Sequence, residues 1–217
     1  MMIETEEQAR AFVADLCSSD AFSALERFAA ELLIEAAKQN LIARSTTDTL
    51  WQRHFADSAQ LLDHVPRETD GADAHPWLDL GSGAGFPGIV MAIMRPEVPH
   101  VLVESRARRV EWLERMVALA GLKQCRVVHS RLEKVESFPA GVITARAFAP
   151  LPQLISLSAR FSTTGTTWLL PKGRSAAQER DELDSPQRAM FHVKQSVTSR
   201  DAAILVGTGR PKTGSRT

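Results

Sequence analysis

A run of glycines and a few charged side chains hold the chemistry legible in this chain. Asp79 stands in the apolar run Trp77-Leu-Asp-Leu80; Gly81, Gly83, Gly85 and the pair Pro87-Gly88 follow, and an apolar segment opens at Ile89. This pattern predicts a strand, a tight loop and the first turn of a helix, with Pro87 where a helix tolerates proline. Glycine has no Cβ and takes positive φ, so such a loop lets the main chain approach a nucleotide-like ligand closely. Glu104 ends the next strand-like run, where an acid can accept both hydroxyls of a ribose. Arg146 and Lys172-Gly173 end two later runs and should reach the same rim.

Two ligand classes compete for the loop. Gly83-Ala-Gly85-Phe-Pro-Gly88 satisfies the G-x-G-x-x-G of dinucleotide sites, which hold a pyrophosphate on the N–H groups of a helix N-terminus. Counted from Gly81 the pattern is G-x-G-x-G with Asp79 two residues upstream, and Pro87 removes one of those N–H groups. A phosphate-free cofactor such as S-adenosylmethionine has less need of such donors, and Asp79 suits its ammonium and sulfonium charges. Ser130-Arg-Leu-Glu133, after the third strand, could meet an adenine edge or be a surface loop.

The elements that would position these residues alternate. Residues 6–17, 20–38 and 48–65 read as helices, with Asp20 as an N-cap and Phe22, Leu25, Phe28, Ala29, Leu32 and Leu33 on one face. Residues 66–76 read as a polar linker. Strands are expected over 77–80, 100–104, 126–129, 141–145, 166–170, 190–195 and 202–206, with helices over 106–120 and 151–161. Strands alternating with helices imply an α/β fold with a parallel, doubly wound sheet. The division expected is a helical part over 1–70, a cofactor domain over 71–206 and a disordered basic tail over 207–217.

Length and composition set outer bounds. The 217 residues are enough for one well-buried α/β domain with a helical extension. No apolar run approaches the roughly 18 residues of a membrane span, and the acidic N-terminus lacks a signal-peptide core, so a cytoplasmic protein is expected. Cys17 and Cys125 stand alone, which argues against disulfides, structural zinc or any metal site. Net charge is zero, yet residues 1–79 hold 6 basic against 15 acidic residues and the remainder 20 against 11. This split fits one basic face for a polyanion, or an electrostatic match between the two halves.

The run Asp79-Leu-Gly-Ser-Gly-Ala-Gly-Phe-Pro-Gly88 resembles the cofactor loop of the ribosomal RNA small-subunit methyltransferase G family, also called glucose-inhibited division protein B. Asn40-Leu41, Arg53-His54 with Asp57-Ser58, Arg146-Ala-Phe-Ala149 and Lys172-Gly173 match in the same order, so the similarity spans roughly residues 25–183. Where the family has Asp-Ser this chain has Glu104-Ser105, and a Trp-Asn pair before Asn40 is replaced by Glu35-Ala36. The resemblance implies a Rossmann-like class I S-adenosylmethionine-dependent methyltransferase fold with an N-terminal helical extension. It implies methyl transfer from S-adenosylmethionine to N7 of a guanine in 16S rRNA, with naked rRNA, a ribosomal subunit and an assembly intermediate all open as the substrate; separately, a monomer without metal is expected. Carried over by motif, cofactor contacts fall at Gly81, Phe86, Leu132, Glu133 and Arg146, beside Asp79, Gly83, Gly85 and Glu104 from the loop pattern.

That chemistry suits the residues. Guanine N7 has an in-plane lone pair and no proton, so its methylation needs alignment and charge stabilisation but no general base. No Ser/His/Asp or Cys/His set is evident, as expected. Arg146 and Lys172 are the candidate catalytic residues, with Arg146 on the cofactor or a phosphate, since an arginine on the O6/N7 edge would occlude the target atom. Asn40, His54, Phe148 and Lys172 are the candidate substrate residues. Phe148 could stack on a flipped-out base or pack in the core. His54, Asp57 and Ser58, three or four apart on one helical face, could instead be a polar network fixing the helical part to the sheet. An NAD-dependent oxidoreductase and a non-catalytic RNA-binding module remain the alternatives.

Overall fold

The computed structural model describes residues 2–69, 71 and 74–212. Seven strands form one sheet in the order β3-β2-β1-β4-β5-β7-β6: β1 Trp77–Leu80, β2 His100–Glu104, β3 Cys125–His129, β4 Val142–Ala145, β5 Thr167–Lys172, β6 Phe191–Gln195 and β7 Ala203–Thr208. The first five run parallel. β1 pairs with β2 on one side and β4 on the other, with Leu80 opposite Val103 and Ala145. The chain thus winds outward from β1 to β3 and returns at β4. The carboxyl ends of β1 and β4 flank the crevice where such sheets bind ligands.

The parallel, doubly wound sheet ends in an antiparallel edge. β6 and β7 pair antiparallel, and β7 runs antiparallel to β5. The connection over 196–202 is too short for a parallel crossover, so the chain turns back as a hairpin. Two short helices that the sequence did not suggest, α7 (Ala176–Asp181) and α8 (Ser185–Met190), lie between β5 and β6.

The N-terminal helices pack as a further layer on one face. α1 (Glu6–Asp15) opens on a Thr5–Gln8 capping box, and α2 (Ser19–Ala36) is capped by Ser18, not Asp20. The expected single helix over 48–65 is α3, a composite: π-helical over Trp51–Ala56, α over Asp57–Ala59 and 3-10 over Gln60–His64. Its start is capped from α1, where the Glu6 carboxylate accepts the Trp51 and Gln52 amides at 2.9 Å each. α4 (Gly88–Met94) follows β1 and α5 (Ala107–Leu119) follows β2; α6 (Leu151–Ser158) lies between β4 and β5.

One apolar cluster runs continuously from the N-terminal helices through α4 and α5 into the sheet, and a second fills the opposite face under α6. The N-terminal part therefore shares its core with the sheet. Phe28 is the centre of that joint, with ring centroids 5.5, 5.4 and 6.0 Å from Phe55, Phe86 and Trp112. The tail expected over 207–217 begins inside β7. Gly209 N–H donates to the Thr166 carbonyl at 2.8 Å, Trp168 Nε1 donates to the Gly209 carbonyl, and Gln187 Nε2 reaches the Lys212 carbonyl. Residues 213–217 lie outside the described residues.

Phe28→Ala removes the ring shared by both layers. It should cost about 3–5 kcal/mol of unfolding free energy, read as a lower urea midpoint with m unchanged.

Candidate active site

The loop after β1 is shaped by its glycines and braced by Glu104. Gly81, Gly83 and Gly85 hold φ of +65°, +57° and +102°, the left-handed region that residues with a Cβ avoid. A Cβ on Gly81 would lie 2.7 Å from the Phe148 ring, and one on Gly85 2.8 Å from Ile89. The Glu104 carboxylate accepts the Gly83 amide at 3.0 Å through Oε2, and the Ser105 and Arg106 amides at 2.7 and 2.9 Å through Oε1. One buried acid thus joins the loop after β1 to the start of α5. Arg109 of α5 approaches the same carboxylate at 3.9 Å.

Beside this loop lies a cavity of about 420 Å³ lined by Gly81, Glu104, Ser130, Leu132, Glu133 and Phe148, among others. Leu132 is fixed from behind, because Arg160 donates to its carbonyl. The main chain after β4 turns sharply at Ala147 (φ +53°), and Phe148 lies back over Gly81.

A larger cavity of about 860 Å³ opens across that segment, and residues 147–149 line both spaces. Arg53, His54, Asp57, Arg146, Lys172 and Arg174 stand in its wall. Arg146 lies 5.0 Å over the Phe86 ring, 4.0 Å from Asp57 Oδ2, and donates to the Arg53 carbonyl at 3.4 Å. Lys172 Nζ is engaged by Glu179 at 2.7 Å, and Ser175 donates to that acid's other oxygen. Burial raises the Glu179 pKa, but these two donors outweigh it and leave the acid below its ordinary value.

Burial sets the charges around Arg146. It lifts the Asp57 carboxyl, against the pull of Arg146 and the Thr198 hydroxyl, and lowers the Arg146 guanidinium, against Asp57 and Asp79. His54 stacks on Phe86 at 4.9 Å. Thr46 gives its own proton to the Ala43 carbonyl, so His54 Nε2 must be the donor in their 2.9 Å contact, leaving Nδ1 unprotonated. Burial first, then Arg146 and Arg53, push the imidazole down to about 3.

The expected site residues divide into four groups. Gly81, Glu104, Leu132 and Glu133 line the smaller cavity; Arg146, His54 and Lys172 line the larger; Phe148 lines both. Asp79, Gly83, Gly85, Phe86 and Asn40 line neither. Asp79, expected beside positive ligand charges, is buried beneath the loop: Oδ1 accepts from Thr144 at 2.6 Å, and Oδ2 lies where a Cβ on Gly88 would be 2.6 Å away. Burial raises its pKa, opposed by Thr144 and Ser82. Phe86 is inserted into the core with Phe28 and Phe55, so loop support replaces the expected ligand contact. Asn40 is exposed at the end of the segment after α2.

Sequence reasoning missed Gln60 and Thr198, which hold Asp57 from α3 and from the β6–β7 connection. No spacing links positions so far apart in the chain. Cys125 is no nucleophile: burial, then Asp79, push its thiol up to about 12. Among the described residues, no group of three His, Cys, Asp or Glu side chains is placed to hold a metal, and no helix is long and apolar enough to cross a membrane.

The His54 shift predicts a pH effect on stability. The unfolded imidazole binds a proton below about pH 6.5, whereas the folded one refuses it until about 3, so the contribution is complete above 6.5 and is lost as pH falls. Between pH 7 and 5, wild type should lose about 2 kcal/mol more than His54→Gln, measured by urea unfolding at both pH values. Equal losses would contradict the assignment.

Comparison with known proteins agrees with this geometry. The family model of rRNA small subunit methyltransferase G matches residues 21–204. A protein of Erythrobacter litoralis called Ribosomal RNA small subunit methyltransferase G is 58% identical over 212 residues, covering 98% of this chain and 100% of that one. Its namesake from Sphingopyxis alaskensis is 53% identical, over 89% of this chain and 81% of the other. Among solved structures, an RNA methyltransferase from Salinibacter ruber in complex with S-adenosyl-L-homocysteine superposes with a TM-score of 0.55 at 16% identity, over 73% of this chain and 93% of that one. A SAM-dependent methyltransferase from Aquifex aeolicus gives 0.55 at 14%, over 77% and 94%. At these identities the likeness is one of fold, the Rossmann-like fold of these methyltransferases with an added N-terminal helical layer. The full-length sequence matches are of another order, and the chain belongs to the rRNA small subunit methyltransferase G family.

Proposed function

We propose that this chain transfers a methyl group from S-adenosylmethionine to N7 of a guanine in 16S rRNA, acting in the cytoplasm as a monomer. The observation that carries the reading is the pair of cavities meeting at residues 147–149, one built on the glycine loop and Glu104, the other walled by Arg53, Arg146, Lys172 and Arg174 together with Asp57, Glu179, Glu182 and Asp201. The loop fits a phosphate-free donor better than a dinucleotide. Its Gly81, Ser82, Gly83 and Gly85 amides all donate within the protein, and Pro87 caps the short α4, so few donors remain for a pyrophosphate. Glu104 has acceptor capacity beyond its three main-chain bonds for a ribose diol.

S-Adenosylmethionine, when bound, supplies a methyl group on a positive sulfur that leaves without needing a proton. With both bound, the guanine N7 lone pair would form the new N–C bond as the S–C bond broke, and positive charge would move onto the base. No residue has to take a proton, which suits a site with a neutral His54. The protein's task is alignment: Glu104 and the 130–133 segment hold the donor, and the larger cavity holds an unpaired base. Arg146 lines the larger cavity next to the shared segment and lies over the Phe86 ring of the loop. At the rim Lys172 and Arg174 are paired with Glu179 and Asp201, and an RNA phosphate would take them over from those acids.

Arg146→Ala should lower methyl transfer about 10²-fold while S-adenosylmethionine binding, followed by calorimetry, changes far less. Tritium transfer from labelled cofactor to small-subunit rRNA is the measurement, on free rRNA and on subunits. Near-normal transfer would remove Arg146 from the mechanism, and no transfer by wild type to either form would remove the reading itself.

A further inference from the structure

We propose that Asp57 selects guanine in the larger cavity by accepting the N1–H and N2–H donors of the base, an inference that rests on the methyltransferase reading above. The two oxygens of this carboxylate are used unequally. Oδ1 accepts the Thr198 hydroxyl at 2.8 Å and Gln60 Nε2 at 2.9 Å. Gln60 is itself fixed, its oxygen accepting the Val197 amide at 2.9 Å and its nitrogen reaching Ser196 Oγ at 3.1 Å. Oδ2 forms an ion pair with Arg146, 4.0 Å from Nη1 and too far for a hydrogen bond. Asp57 and Arg146 both line the cavity, so one anchored acid presents an oxygen with two lone pairs beside a guanidinium.

Guanine alone among the four bases offers two neighbouring N–H donors, N1–H and N2–H, on its Watson–Crick edge, with the O6 acceptor next to them. Adenine and cytosine place a ring acceptor beside their amine, and uracil has one donor between two acceptors. Asp57 with Arg146 complements donor, donor and acceptor in that order. A base held along this edge has its N7 on the other side of O6, so Arg146 can serve O6 without covering the target atom. The alignment also favours reaction. As the methyl group reaches N7 the purine becomes cationic and N1–H more acidic, so its bond to a carboxylate strengthens in the transition state. Thr198 and Gln60 act through Asp57 as positioning residues.

The test is a cycle of protein and base. Small-subunit rRNA carrying inosine, which lacks only the N2 amine, in place of the target guanosine is compared with the normal RNA, using wild type and Asp57→Asn. Wild type should lose about tenfold or more in kcat on inosine, with KM altered less. Asp57→Asn should lose a similar factor on guanosine and little further on inosine, while still binding S-adenosylmethionine in calorimetry. A purely structural Asp57 would leave the guanosine/inosine ratio in the variant as it is in wild type, and that result overturns the inference. Wild type that methylates inosine as fast as guanosine overturns it without recourse to any variant. If wild type methylates neither RNA, the methyltransferase reading fails and the inference falls with it.

Discussion

A single buried carboxylate holds the donor side of the site together. Glu104 ends β2, yet it is bonded to the amide of Gly83 in the loop after β1 and to the first amides leading into α5. Without it, two loops at the carboxyl edge of the sheet would carry N–H groups with no acceptor, and a buried unmade hydrogen bond costs on the order of 1–3 kcal/mol. The acid also faces the smaller cavity, so the group that rigidifies the loop is the group a ribose would meet. Gly81 and Gly88 complete the arrangement, since a Cβ at either would collide with Phe148 or with Asp79.

The acceptor side depends on the N-terminal layer in the same way. Phe86 leaves the loop and enters the core of the helical layer, between Phe28 and Phe55, with His54 stacked on it and Arg146 across its face. The larger cavity is therefore bounded by α3 on one side and by the ends of β4 and β5 on the other. The network of Gln60, Ser196 and Thr198 fastens α3 to the far hairpin of the sheet, so the helices wall the cavity from a fixed position.

Much of this was legible in the sequence because it is local. Four glycines after an apolar run, an acid closing the next strand, and cations after the fourth and fifth strands each obey a short-range rule, and they led to the glycine loop, Glu104 and the two cavity walls. What escaped depends on contacts between distant positions. A helix over 48–65 was readable from its apolar spacing, but not its π and 3-10 turns or its cap on Glu6. Strands over 190–195 and 202–206 were readable, but not that a seven-residue return makes them antiparallel. Asp79 and Phe86 looked like ligand contacts because they sit in the loop motif; burial shows them holding the loop from beneath. His54, Asp57 and Ser58 were readable as neighbours on one helix, whereas Thr198 lies 141 residues from the acid it serves.

The most direct measurement is nucleoside analysis, by mass spectrometry, of small-subunit rRNA from cells with and without this protein. One 7-methylguanosine should disappear with the gene and return with wild type, leaving other methylated nucleosides unchanged. An rRNA with its full complement of 7-methylguanosine in the absence of the protein would contradict the proposed activity.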